Sequence, residues 1–457
     1  MGDRAEPDVA RSGPLRESEP QPPSATAAAQ APDEHRALAR FAFVQLEEAI
    51  GGVAAVHKAV SRRVFGRVGG ADQAVRPAHD AIAGSSYEVV RHTSGLVGAA
   101  IDVALRWRRR TNERPLSQTP GASAAIGVLH GLRGDALAES GSDLHQPMSV
   151  RIGTRPVALE RSALAAAFPD ATPRLAVFIH GVMQTESSWR RGGAREEETY
   201  GAHLRRDLDY TPIFVRYNSG LHISQNGLAL GELLEALCVA WPVEVEQIAL
   251  VGHSMGGLVA RSACHQASGQ PQHWVHLVRH VISLGSPHAG APLEQFVHLL
   301  ASGLHSVPET RPLSSFLRRR SAGIRDLRTG SLVEQDWRDR DPDALWAEAC
   351  REVPLLEGAM HCFIAATLTR SPRHPLGHLV GDLLVRPSSA AGHSRTRRIP
   401  FHAGAHVGGL HHRALLNDPA VYECLREWLA TPAAGRLSGR GAAALPRRAG
   451  RRRSRRR

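Results

Sequence analysis

The run Gln247-Ile-Ala-Leu-Val251 leads straight into Gly252-His253-Ser254-Met255-Gly256-Gly257, and Leu258-Val-Ala-Arg-Ser-Ala263 follows. An apolar stretch of strand length, a glycine-bounded corner and a helix-forming stretch make a strand–turn–helix with a serine at its apex. A serine held there takes a strained backbone conformation with positive φ. Gly252 and Gly256 then let neighbouring backbone pass where a Cβ would clash. The helix opening after Ser254 aims its first N–H groups at any negative charge that develops nearby. G-x-S-x-G is a short pattern, and a plain glycine-rich turn would also satisfy it. The strand before it and the helix after it make the serine a candidate nucleophile.

Further apolar runs surround this corner. Leu175-Ala-Val-Phe-Ile179 and Ile213-Phe-Val215 precede it, and Val281-Ile-Ser-Leu284 and His361-Cys-Phe-Ile-Ala-Ala366 follow. Met148 to Ile152 and Pro156 to Leu159 read as a short hairpin, and 399–409 as a last strand-like piece before a helical run from Leu415 to Leu429. Continuous apolar strands separated by helical stretches imply a mostly parallel sheet with helices on both faces, an α/β class. The segment 292–356 interrupts the alternation late. It is polar, Arg-rich and helical, and reads as a cap inserted over the carboxyl edge of the sheet.

A nucleophilic serine needs a base, an acid to orient that base, and donors for an oxyanion. The strand ending at Ile179 runs into His180-Gly181-Val182-Met183, where the glycine frees backbone N–H groups. Val182 N–H is the expected oxyanion donor beside that of Met255, with His180 supporting the loop and not acting as base. Downstream, Gly377-His-Leu-Val-Gly-Asp382-Leu-Leu-Val385 places Asp382 after a glycine in a loop leaving the sheet, the preferred acid, although a turn-capping Asp reads the same way. His406, His411 and His412 are all late enough for the order Ser–Asp–His. His412 is preferred, but the local sequence does not choose among them.

The segments IHGVM, GHSMGG, LGSPHAGAPLE (284–294), GDLLV and HHRALLNDPAVYECLREWL, in this order over about 145–431, resemble the lipase/esterase branch of the α/β-hydrolases. They are similar in particular to bacterial members related to GPI inositol-deacylase-like esterases and triacylglycerol lipases. The resemblance implies Ser254 as nucleophile, Asp382 as acid, His412 as base, and Val182 with Met255 as oxyanion hole. In such lipases the histidine stands three positions before a Leu-Leu pair, and Leu415-Leu416 selects His412. SPHAG resembles the loop that shapes the family's pocket wall, and 217–227 also resembles the bacterial members. The resemblance does not extend to the N-terminal helices or the C-terminal arginines. It implies a serine carboxylic-ester hydrolase working through an acyl-enzyme, with a small-molecule or lipid ester as substrate. The polar cap composition favours soluble or short-to-medium acyl esters. An acyltransferase on the same fold, or a non-catalytic scaffold on membrane or nucleic acid, are the alternatives.

The 457 residues divide into a disordered segment 1–33, a helical hairpin extension 34–110, a polar linker 111–146 with a short helical piece near 124–132, the catalytic domain 147–431, and an Arg-rich tail 432–457. In the extension, Ala42, Leu46, Ala49, Val53, Val56 and Val60 recur at helical spacing, and a second helix spans roughly 78–110. The pair can pack on the main domain, self-associate or lie on a membrane surface, and packing is expected. The formal net charge is +12, but eight arginines sit in the last eleven residues; without them it is +4. Such a run can bind nucleic acid or anionic lipid weakly, and a solvated tail is the plainer reading. No apolar run approaches the roughly 20 residues of a spanning helix. The N-terminus shows no signal-like apolar region. Five scattered cysteines without C-x-x-C spacing suggest neither disulfides nor zinc, and the 25 histidines show no ligand spacing. No metal or cofactor is expected, and a cytoplasmic setting is, with peripheral membrane contact as a variant.

Overall fold

The computed structural model describes residues 33–44, 115–191, 196–291, 320–341, 350–371, 374–394 and 397–431. Eight strands, β1 (Ser149–Ile152), β2 (Arg155–Pro156), β3 (Arg174–Ile179), β4 (Thr211–Arg216), β5 (Gln247–His253), β6 (Val278–Leu284), β7 (Met360–Thr367) and β8 (Ala403–Gly408), form one sheet. Their order is β2-β1-β4-β3-β5-β6-β7-β8. The hairpin β1–β2 and the β1–β4 pair are antiparallel, and β4 through β8 run parallel. Alternation along the central strands explains why both faces are covered. Leu175, Val177, Ile179, Ile248 and Leu250 enter one core, while Ala176, Phe178, Ala249 and Val251 enter the other.

Five longer helices complete the frame: α1 (Pro120–Glu139), α2 (Tyr200–Leu208), α3 (Ile223–Ala240), α4 (Met255–Ala267) and α5 (Pro419–Ala430). The first core takes Leu230, Leu234 and Leu237 from α3 and Leu258, Val259 and Ala263 from α4. The second takes Tyr200 and Leu204 from α2 and Val421, Leu425 and Trp428 from α5. Each large side chain buried this way contributes about 1.5–3 kcal/mol. Asp418 caps α5 by accepting from Ala420 N–H and Val421 N–H. Among the described residues, no helix is long and apolar enough to cross a membrane.

Two regions differ from the sequence expectation. Instead of a polar linker with a short helical piece over 111–146, the chain forms α1, twenty residues with a kink at Arg133, and packed. Gly127 and Gly131 are contact surfaces and not flexible joints: a Cβ on Gly127 would lie 2.7 Å from Thr185 Cγ2, and one on Gly131 2.8 Å from Met183 N. Residues 320–341 of the expected polar cap are also built into the body. Leu327, Leu332 and Val333 join the first core. Asp326 accepts from Ile223 N–H at the start of α3 (2.8 Å), and Asp336 is buried, accepting from Leu332 and Arg351 N–H (3.1 and 2.8 Å). Residues 292–319 and 342–349 lie outside the described residues, as do the second helix expected at 78–110 and the Arg-rich tail. The described start of the extension is helical over 34–44 and packs Ala37, Leu38 and Phe41 on Ile126, Leu137 and Leu144. Buried Glu34 anchors it, accepting from Ser117 N–H and Oγ (both 2.6 Å) and Gln146 Nε2 (2.9 Å).

Candidate active site

Ser254 sits between the carboxyl end of β5 and the start of α4 with φ 54° and ψ −123°, a conformation that side chains rarely adopt. Holding it costs on the order of 1–3 kcal/mol, which the surroundings must supply. They do so by close packing. Ser254 N–H donates to Leu284 O on β6 (2.8 Å). A Cβ on Gly252 would lie 2.5 Å from Gly257 Cα, and one on Gly256 2.7 Å from His180 O. The glycines are therefore dictated by the turn. The serine is 7% exposed.

On one side of Ser254 lies the segment after β3. A Cβ on Gly181 would come within 2.9 Å of Ser254 Cβ, so the two backbones touch. His180 is fully buried and stacks on Tyr217, with ring centroids 4.3 Å apart. Its Nε2 accepts from Tyr217 N–H (3.3 Å), which leaves Nδ1–H to donate to Gly181 O (2.8 Å). Burial pushes its pKa down to about 3, so it is a neutral brace. Gly181 N–H donates to Gln184 Oε1 (3.2 Å) and Met183 N–H to Ser219 Oγ (3.1 Å). Between them, Val182 N–H has no acceptor among the described residues, nor does Met255 N–H at the head of α4. Both are free to bind an anion.

On the other side, the loop after β7 presents Asp382. Gly381 and Leu383 flank it with φ of 66° and 89°. Asp382 Oδ1 accepts from Leu384 N–H (3.0 Å) and Val385 N–H (2.8 Å), capping the turn. Oδ2 accepts from His412 Nδ1 (2.7 Å), and Asp382 O accepts from His412 N–H (2.9 Å). The acid is thus both turn cap and histidine partner, and it grips His412 by backbone and side chain together. Both residues are buried, at 1% and 4% exposure. Because a carboxylate only accepts, Nδ1 carries the proton and Nε2 the lone pair. A Cβ on Gly285 would lie 3.2 Å from His412 Cε1 and Nδ1. Gly285 follows Leu284, whose carbonyl holds Ser254 N–H, so Ser254 and His412 both lie by the carboxyl end of β6. His411 is exposed, and His406 is exposed on β8 against the edge of Phe363.

Three residues that the sequence did not single out tie these parts together. Ser219 holds Met183. The buried His253 ring lies between Gln184 Oε1 (3.2 Å from Nδ1) and His412 O (3.2 Å from Nε2), linking the elbow to both flanking loops. Burial lowers its pKa to about 3, so it carries one N–H and donates to only one of these oxygens. Only the adjacency of His253 to the serine marked it in the sequence. Gln184 and Ser219 had no local signal, because their contacts span 69 and 36 residues. Among the described residues, no three His, Cys, Asp or Glu side chains gather as a metal site would require.

An eight-stranded, mostly parallel sheet with a strained serine after a central strand and late acid and histidine loops is the α/β-hydrolase fold. Residues 177–338 match the family model of the PGAP1-like alpha/beta domain. Similar solved structures include a Bacillus licheniformis lipase (19% identity, 56% of this chain and 91% of that one, TM-score 0.36). Another is a Pyrobaculum calidifontis esterase (15%, 57% and 77%, TM-score 0.32). A third is the naproxen esterase of Bacillus subtilis (14%, 57% and 84%, TM-score 0.32). Among curated proteins, none matches the chain.

Proposed function

We propose that the protein is a serine carboxylic-ester hydrolase in which Ser254 is the nucleophile, His412 the general base and Asp382 the acid that orients it. The observation that carries this reading is the buried 2.7 Å Asp382–His412 hydrogen bond, beside a serine held at φ 54°. His412 Nε2 takes the Ser254 hydroxyl proton as Oγ attacks an ester carbonyl. The carbonyl oxygen becomes an oxyanion against Val182 and Met255 N–H, and the imidazolium is stabilised by Asp382. The tetrahedral species collapses to an acyl-Ser254 ester and an alcohol, which leaves with the proton from His412. Water, deprotonated by the same histidine, then attacks the acyl-enzyme and frees the acid and Ser254. The substrate is a small-molecule or lipid ester. An acyltransferase would differ only in the acceptor that intercepts the acyl-enzyme, so product analysis with added alcohol separates the two.

The test is hydrolysis of p-nitrophenyl esters of graded acyl length by wild type and Ser254→Ala. Turnover by wild type only, with a chain-length optimum, supports the assignment. Equal rates for a folded wild type and Ser254→Ala would refute it, and would turn attention to a scaffold role for the N-terminal helices and arginine tail.

A further inference from the structure

The segment 181–186 is not held by the sheet alone. Met183 has φ 59°, a left-handed conformation that costs a side-chain-bearing residue on the order of 1–3 kcal/mol and persists only where neighbours enforce it. The enforcing neighbour is α1. Its Gly131 backbone lies so close that a Cβ would stand 2.8 Å from Met183 N and 3.0 Å from Met183 Cα. One turn earlier, a Cβ on Gly127 would stand 2.7 Å from Thr185 Cγ2 and 2.8 Å from Gln184 O. Another turn back, Ser123 Oγ accepts from Arg216 Nη2 (2.7 Å). Arg216 also holds both oxygens of buried Glu186 at 2.5 Å and reaches Ser117 O (2.7 Å). Residues 123, 127 and 131 thus form one stripe at a spacing of four: Gly127 and Gly131 lie on 183–185, and Ser123 reaches Glu186 through Arg216. At the far end Asn218 Nδ2 donates to Gly134 O (2.8 Å), and Ser321 Oγ donates to Gly131 O (2.6 Å).

From this we infer that α1 is a clamp for the oxyanion-binding backbone, and that Gly131 and Ser219 are positioning residues that set where Val182 N–H points. The inference rests on the proposed role of Val182. If Met183 relaxes to negative φ, the peptide planes on its two sides swing relative to each other, and Val182 N–H, one residue away, moves with them. An oxyanion donor acts mainly in the transition state. Displacing one lowers kcat and leaves KM nearly unchanged.

The test compares Gly131→Ala and Ser219→Ala with Gly121→Ala, on the same helix, where a Cβ meets nothing within 4 Å. Each is assayed for p-nitrophenyl ester hydrolysis across pH and for amide hydrogen exchange over 181–186. Gly131→Ala is expected to lower kcat about ten- to a hundredfold, with KM within about threefold and the pH profile unmoved. Ser219→Ala should lower kcat in the same direction, and exchange over 181–186 should accelerate in both, with Gly121→Ala like wild type. Wild-type kcat and exchange in Gly131→Ala and Ser219→Ala, or equal losses in Gly121→Ala, would overturn the clamp. If Gly131→Ala does not fold, Ser219→Ala decides, since it adds no volume. If wild type turns over no ester, the functional proposal fails, while exchange still reports whether α1 holds the loop.

Discussion

At the residue scale, the glycines at the corner after β5 are fixed by backbone packed against them. A Cβ on Gly256 would lie 2.7 Å from His180 O and 2.8 Å from Ile179 C, both backbone atoms that cannot yield cheaply. Gly256→Ala should therefore cost about 1–3 kcal/mol in urea unfolding and slow turnover with it. Asp382 works through both oxygens, so its replacement separates structure from chemistry. In Asp382→Asn, the side-chain carbonyl can still cap the turn, but the amide cannot accept from His412 Nδ1–H. The expected outcome is a nearly unchanged unfolding midpoint with kcat down by a factor on the order of 10⁴. The serine corner was legible in the sequence because a nucleophile elbow is built from consecutive residues. The choice of His412 over His411 came from the Leu415-Leu416 spacing; in the fold, one is buried against Asp382 and the other exposed.

Elements were legible where one local period decides them. The apolar runs of β3, β5, β6 and β7 have strand length and no polar face, which reads as strands buried on both faces, and they are. Helix α1 was not legible as a packed element, because Gly127, Gly131 and Gly134 carry no apolar stripe and look like punctuation. Their meaning lies in partners at 183–185 and 218. The Arg216–Glu186 pair is similar. Nothing local joins residues 30 apart, yet the pair is buried at 1% and 4% exposure and ties α1 to the site loop. Removing one partner strands a buried charge. Glu186→Gln should cost about 3–5 kcal/mol in urea unfolding, and Arg216→Met/Glu186→Leu should recover much of that loss.

At the scale of the whole molecule, buried histidines set the acid limit of stability. Burial lowers His180, His253 and His361 to about 3 and His130 to about 4. Above the unfolded value near 6.5 these groups are neutral in both states, and their contribution is complete. Between 6.5 and 3–4 the unfolded chain takes up protons that the fold refuses. Stability therefore falls as pH falls, by up to about 1.4 kcal/mol per pH unit for each histidine. Urea midpoints measured at pH 7.5, 6, 5 and 4 should decline steadily, and a flat profile would contradict this assignment. The central claim is that Ser254 is an activated nucleophile. It is tested most directly by treating wild type, Ser254→Ala and His412→Ala with a fluorophosphonate and mapping the adduct by peptide mass spectrometry. A single adduct is expected on Ser254 in wild type, none in Ser254→Ala and a much slower one in His412→Ala. A folded wild type that stays unlabelled, or an adduct on another residue, would contradict it.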